Sequence, residues 1–110
     1  HGGGALPWML GRLMRNMEIH PGQYGDPMEG FRRIYFDTVV FDPDALNFLI
    51  AKAGADKVML GSDYPFPIGD HTPCEIVGKA GLSEIDTTAI LGGTAAKLFR
   101  LDGSCGGAHG

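Results

Sequence analysis

At 110 residues, 44% apolar and 20% charged, the chain has the make-up of one small globular domain able to bury a core. Its net charge of −4 gives no electrostatic drive toward nucleic acid or an anionic membrane surface. No run approaches the roughly 20 apolar residues of a membrane span, and Cys74 and Cys105 stand too far apart for a zinc-ribbon or redox spacing, so a reducing cytoplasmic compartment is the expectation.

The chain opens on His1-Gly2-Gly3-Gly4, a histidine followed by a stretch that permits close backbone approach and a tight turn into a helix. In residues 6–20, Leu6, Met9, Leu10, Leu13, Met14 and Met17 draw one helical stripe, with Pro7 in the first turn and Pro21-Gly22 as the stop. Residues 21–30 are polar and rich in Gly and Pro and are expected to be a surface loop. RIYFDTVV (33–40) is aromatic and β-branched, which predicts a strand near Ile34–Asp37.

Asp42 is then an N-cap, Pro43 takes the first helical position, Ala45, Leu46, Leu49 and Ile50 keep the helical period, and Gly54 ends it. Val58–Leu60 predicts a buried strand whose C-terminal end runs into Gly61-Ser62-Asp63. YPFPIGDHTP follows as a proline-pinned loop, and residues 73–80 as a short helix. Ser83 is expected to cap a helix reaching about Leu91, with Asp86 in a weak capping-box position. Gly92-Gly93 should break that helix and Thr94 should cap the last one. The tail GSCGGAHG (103–110) carries too little apolar matter to pack and is expected to be flexible.

Strands alternating with helices imply βαβ units and a parallel sheet. In such architectures the reactive groups collect at the C-terminal ends of strands. Asp63 directly follows an apolar strand and is held by a loop with two prolines, so its carboxylate could ligate a cation or hold a water. His1 is the second candidate. The HGGG stretch also occurs before the oxyanion hole of esterases, but that reading needs a GxSxG elbow between a strand and a helix, and GSCGG (103–107) has no strand before it.

Taken together, HGGG, Gly11-Arg12, YFDT (35–38), FDP (41–43) and GADKVMLGSDYPFP (54–67) resemble the amidohydrolase-related metal-dependent decarboxylases, from His1 to about Leu101. The resemblance implies the C-terminal part of a (β/α)₈ TIM-like metal-dependent hydrolase barrel, from the end of strand six through strand eight and the closing helices. Residues 1–102 would be the partial barrel domain. It also implies one divalent cation, usually zinc in that family. Asp63 matches its eighth-strand ligand and His1 the sixth-strand acid/base on cation-bound water. Arg12 matches an arginine that grips a substrate carboxylate across a homodimer interface, and Phe66 matches an aromatic wall of the pocket. One departure lies at Gly93-Thr94-Ala95, where relatives commonly carry asparagine in the middle.

The chemistry is consistent. A bound cation lowers the pKa of its water toward ~7, and an imidazole of ordinary pKa near ~6.5 can exchange that proton. An arginine fork pairs with a carboxylate through two bonds, so lysine is a poor replacement. The expected reaction is non-oxidative loss of carbon dioxide from an unsaturated amino- or oxo-dicarboxylate formed in aromatic-ring breakdown. A complete barrel needs about 250 residues, and the family's other histidine ligands have no counterpart here. His20, His71 and His109 stand on a helix end, a loop and the tail. The 110-residue chain is therefore expected to be a fragment, inactive by itself. Two rivals remain: a hydrolase or hydratase on the same barrel, and a non-catalytic α/β interaction module.

Overall fold

The computed structural model describes residues 1–23 and 25–101. Helix α1 spans Leu6–Ile19, with Pro7 in its first turn and Pro7 and Leu10 on its buried side. Helix α2 covers Pro27–Phe31, strand β1 is Phe36–Asp37, and helix α3 is Pro43–Ala53. A 3₁₀ turn at Ala55–Lys57 leads into strand β2, Val58–Met59. Helices α4 (Pro73–Lys79), α5 (Glu84–Thr88) and α6 (Thr94–Leu98) complete the described chain, with a π turn at Ala89–Gly93 joining the last two.

The expected βαβ unit is present. Strands β1 and β2 pair in parallel, Phe36 opposite Val58 and Asp37 opposite Met59, and α3 lies between them in the chain. Phe36 and Val58 are both buried and join Leu46 and Leu49 of α3, Ile76 and Val77 of α4, and Ile90 in one core. Successive side chains of a strand point to opposite faces. With Phe36 committed to the helical core, Asp37 is turned away from it. Thr38 is also buried, and its Oγ1 accepts a hydrogen bond of 3.2 Å from Gly61 N–H, fastening the segment after β2 to the end of β1.

Several expectations are corrected. Residues 21–30 are not all loop, because Asp26 caps α2 by accepting 2.9 Å from Met28 N–H, with Pro27 in the first turn. The same Asp-Pro signature opens α3, where Asp42 accepts 2.9 Å from Asp44 N–H. Gly92-Gly93 does not break the chain's last helical run, and Thr94 does not cap α6. The backbone stays helical through Thr94, and the wide π turn leaves the Ile90 carbonyl to accept 3.1 Å from Leu60 N–H at the end of β2. The Thr94 hydroxyl instead donates 2.9 Å to the Ala55 carbonyl from a buried position. Ser83 caps α5 as expected, accepting 3.1 Å from Asp86 N–H. Strand β2 ends at Met59, one residue short of the predicted Leu60. Among the described residues no helix is long and apolar enough to cross a membrane. The expectation of a flexible tail at 103–110 lies outside the described residues.

Candidate functional site

The site is built where β1 and β2 end. On the β1 side, His1–Gly4 form a turn ahead of α1 rather than a strand. Gly2 and Gly3 have φ of 58° and 82°, the left-handed region that glycine enters without steric cost. They are also packed too closely for any side chain. A Cβ on Gly2 would come within 2.3 Å of Val40 Cγ1, and one on Gly3 within 2.6 Å of the Phe36 ring. This contact lays the opening turn against the end of β1. It brings the Gly2 N–H to 2.9 Å from Asp37 Oδ1 and His1 Nδ1 to 2.5 Å from Asp37 Oδ2.

On the β2 side, Asp63 stands just past the strand with φ of 61°. That region costs a residue other than glycine roughly 1 kcal/mol, although Asp and Asn tolerate it best. The loop around it is held by backbone bonds: Phe66 N–H donates 3.0 Å to the Asp63 carbonyl, and Asp70 N–H donates 2.7 Å to the Ser62 carbonyl. Gly69 makes this closure possible, since a Cβ there would lie 2.6 Å from the Ser62 oxygen and 2.9 Å from that of Phe66. The Tyr64–Pro65 peptide bond is cis.

These two loops place His1 Nε2 3.1 Å from Asp63 Oδ1, with the Asp63 side chain 17% exposed and that of His1 46% exposed. One imidazole therefore bridges two carboxylates at neighbouring strand ends, with Asp37 at Nδ1 and Asp63 at Nε2. Such a ring can move a proton at one edge while the other is held. Beside it opens a cleft of about 360 Å³ lined by His1, Gly4, Pro7, Trp8, Val40 and Phe48, among others. The Trp8 and Phe48 rings lie 5.2 Å apart at one wall.

The sequence therefore named two of the groups that meet here, His1 and Asp63, although they are 62 positions apart. Phe66 does not join them. It is 60% exposed and lines a separate cleft with Tyr64, Pro65 and His71. Arg12 lies on the exposed side of α1, outside the residues lining the His1 cleft. Asp37 was missed. The signal is available, because Asp37 ends a strand by the same positional rule that singles out Asp63, yet in the sequence YFDT serves only as a strand and as a family motif.

Asp63 is a fitting hard-oxygen ligand for a divalent cation. Protein zinc sites take three or four side chains, and among the described residues no group of three or more His, Cys, Asp or Glu is arranged to hold a metal ion. Both His1 nitrogens already face carboxylates. The described residues thus offer a cation one ligand and do not by themselves make its site.

Known proteins share this arrangement of sequence and fold. The amidohydrolase family model matches residues 1–101. The chain is 34% identical over 108 residues to the 2-amino-3-carboxymuconate-6-semialdehyde decarboxylase of Dictyostelium discoideum, a match covering 93% of this chain and 30% of that protein. It is 31% identical over 110 residues to the enzyme of the same name from Caenorhabditis elegans, covering 27% of that protein. Among solved structures, it superposes on the 5-carboxyvanillate decarboxylase LigW of Sphingomonas paucimobilis with a TM-score of 0.75 and 29% identity, over 93% of this chain and 32% of that one. The chain spans less than a third of the length of each of these proteins.

Proposed function

The chain belongs to the amidohydrolase family, and on that footing we propose that it supplies part of the active site of a metal-dependent, non-oxidative decarboxylase. The substrate class is an unsaturated amino- or oxo-dicarboxylate of the kind named in its curated relatives. The chain's place is the closing third of a (β/α)₈ barrel, with β1 and β2 as its seventh and eighth strands and His1 at the lip of the sixth. The remaining metal ligands come from the rest of that barrel, in a homodimer working in the cytoplasm.

The observation that carries the proposal is the approach of His1 Nε2 to Asp63 Oδ1 at 3.1 Å, at adjacent strand ends. Active groups of parallel barrels gather at this rim. A divalent cation, when bound with Asp63 as one ligand, supplies Lewis-acid polarisation. The chain's own groups do the rest. Arg12 pairs with a substrate carboxylate from the neighbouring subunit, its exposed guanidinium leaving it available to do so. As the bond from carbon to the departing carboxylate breaks, its electron pair stays on that carbon and is captured by a proton, and His1 Nε2 is the group that carries the proton. No oxidant is required.

The test is an assay of the full-length protein on 2-amino-3-carboxymuconate semialdehyde, following carbon dioxide release. The proposal expects one equivalent of carbon dioxide per turnover, lost on chelation and restored by a divalent cation. Turnover to a hydrolysed or hydrated product with no carbon dioxide would favour the hydrolase or hydratase reading. No turnover of any kind would favour the non-catalytic module.

A further inference from the structure

We infer that Asp37 is the positioning residue for His1, fixing which ring nitrogen faces the reacting side. The inference rests on the proposed role of His1 in carrying the proton. Asp37 Oδ2 lies 2.5 Å from His1 Nδ1. An ionised carboxylate has no proton to give, so Nδ1–H is the donor in this bond. Held at Nδ1, the ring has its other edge fixed in direction, with Nε2 3.1 Å from Asp63 Oδ1.

Asp37 is itself anchored, which separates it from a loose surface carboxylate. Its Oδ1 accepts from Gly2 N–H at 2.9 Å and from Val39 N–H at 3.1 Å. It is the last residue of β1, paired opposite Met59, so its backbone is fixed by the parallel ladder. Room for its side chain is made on the β2 side, where a Cβ on Gly61 would come within 3.0 Å of Asp37 Cβ. One oxygen therefore ties down the glycine turn that carries the imidazole, and the other orients the ring. Ring and turn are set by the same side chain.

Asp37→Asn in the full-length protein separates these two duties. The Asn oxygen still accepts from Gly2 and Val39, while its NH₂ cannot accept from Nδ1. The expected result is a kcat at least roughly tenfold lower, as when an orienting carboxylate is lost from a catalytic histidine, with KM held within about twofold. In a His1→Ala background the same substitution should cost nothing further, because Asp37 acts through His1. ¹⁵N spectra of the unsubstituted protein should show a hydrogen-bonded proton on Nδ1, and Asp37→Asn should abolish that bond.

Unchanged kcat in Asp37→Asn, an undiminished cost in the His1→Ala background, or a bare Nδ1 in the unsubstituted protein would each overturn the inference. Full turnover in His1→Ala would remove His1 from the reaction and is a distinct failure. Should Asp37→Asn not fold, the presence or absence of the Nδ1 proton in the unsubstituted protein decides the question.

Discussion

The site depends on residues placed where their type carries a cost or leaves no substitute. Asp63 holds a left-handed backbone with φ of 61°, and its loop is closed over Gly69 so tightly that three backbone oxygens crowd the position of a missing Cβ. Those oxygens belong to Ser62, Asp63 and Phe66, and none is the flexible end of a side chain. Gly69→Ala must therefore displace the loop that presents Asp63. The expected loss of stability is about 1–3 kcal/mol, read from urea denaturation of the full-length protein; an unchanged midpoint would mean that the loop yields freely. Asp63 was legible in the sequence because it ends an apolar run and precedes two prolines. Asp37 was not, because its meaning depends on which strand lies beside β1 and on a glycine turn folding back onto it. No local pattern encodes either.

Elements were legible where the signal was local. The periodicity of α1 and the Asp-Pro start of α3 gave their positions closely, and the observed helices run Leu6–Ile19 and Pro43–Ala53. Helix α2 bears the same Asp-Pro start, yet its five residues sit in a stretch whose glycines and prolines outweighed the cap. The Gly92-Gly93 pair misled in the opposite direction. Glycine lowers helix propensity by only about 1 kcal/mol relative to alanine, and a carbonyl bond to Leu60 together with the buried side chain of Ile90 outweighs it. The Asp42 cap is the simplest element to test. Asp42→Ala should lower the stability of the full-length protein by about 1 kcal/mol, whereas Asp42→Asn, which still offers an oxygen to Asp44 N–H, should stay within a few tenths. Equal losses in the two variants would show that charge, not the hydrogen bond, is what matters there.

At the scale of the whole molecule, a parallel pair of two-residue strands contributes little stability of its own. The core is made by helices packed on one side of that pair, around Leu46, Val58, Val77 and Ile90. Elsewhere large apolar side chains stand open, with Tyr64 88%, Ile85 82%, Ile68 76% and Trp8 75% exposed. Such surface fits a chain that packs against further elements, in keeping with the proposed barrel. The order of strands and helices, and hence the mixed α/β class with a parallel pair, was legible from alternating periodicities. The convergence of His1, Asp37 and Asp63 was not, since it is a product of parallel pairing across α3. Its two proposed roles can be separated by measuring bound metal and turnover together in the full-length protein and in its Asp63→Ala and His1→Ala variants. The account predicts about one divalent ion per chain, lost with turnover in Asp63→Ala, and retained without turnover in His1→Ala. Full metal content and full carbon dioxide release in Asp63→Ala would contradict it.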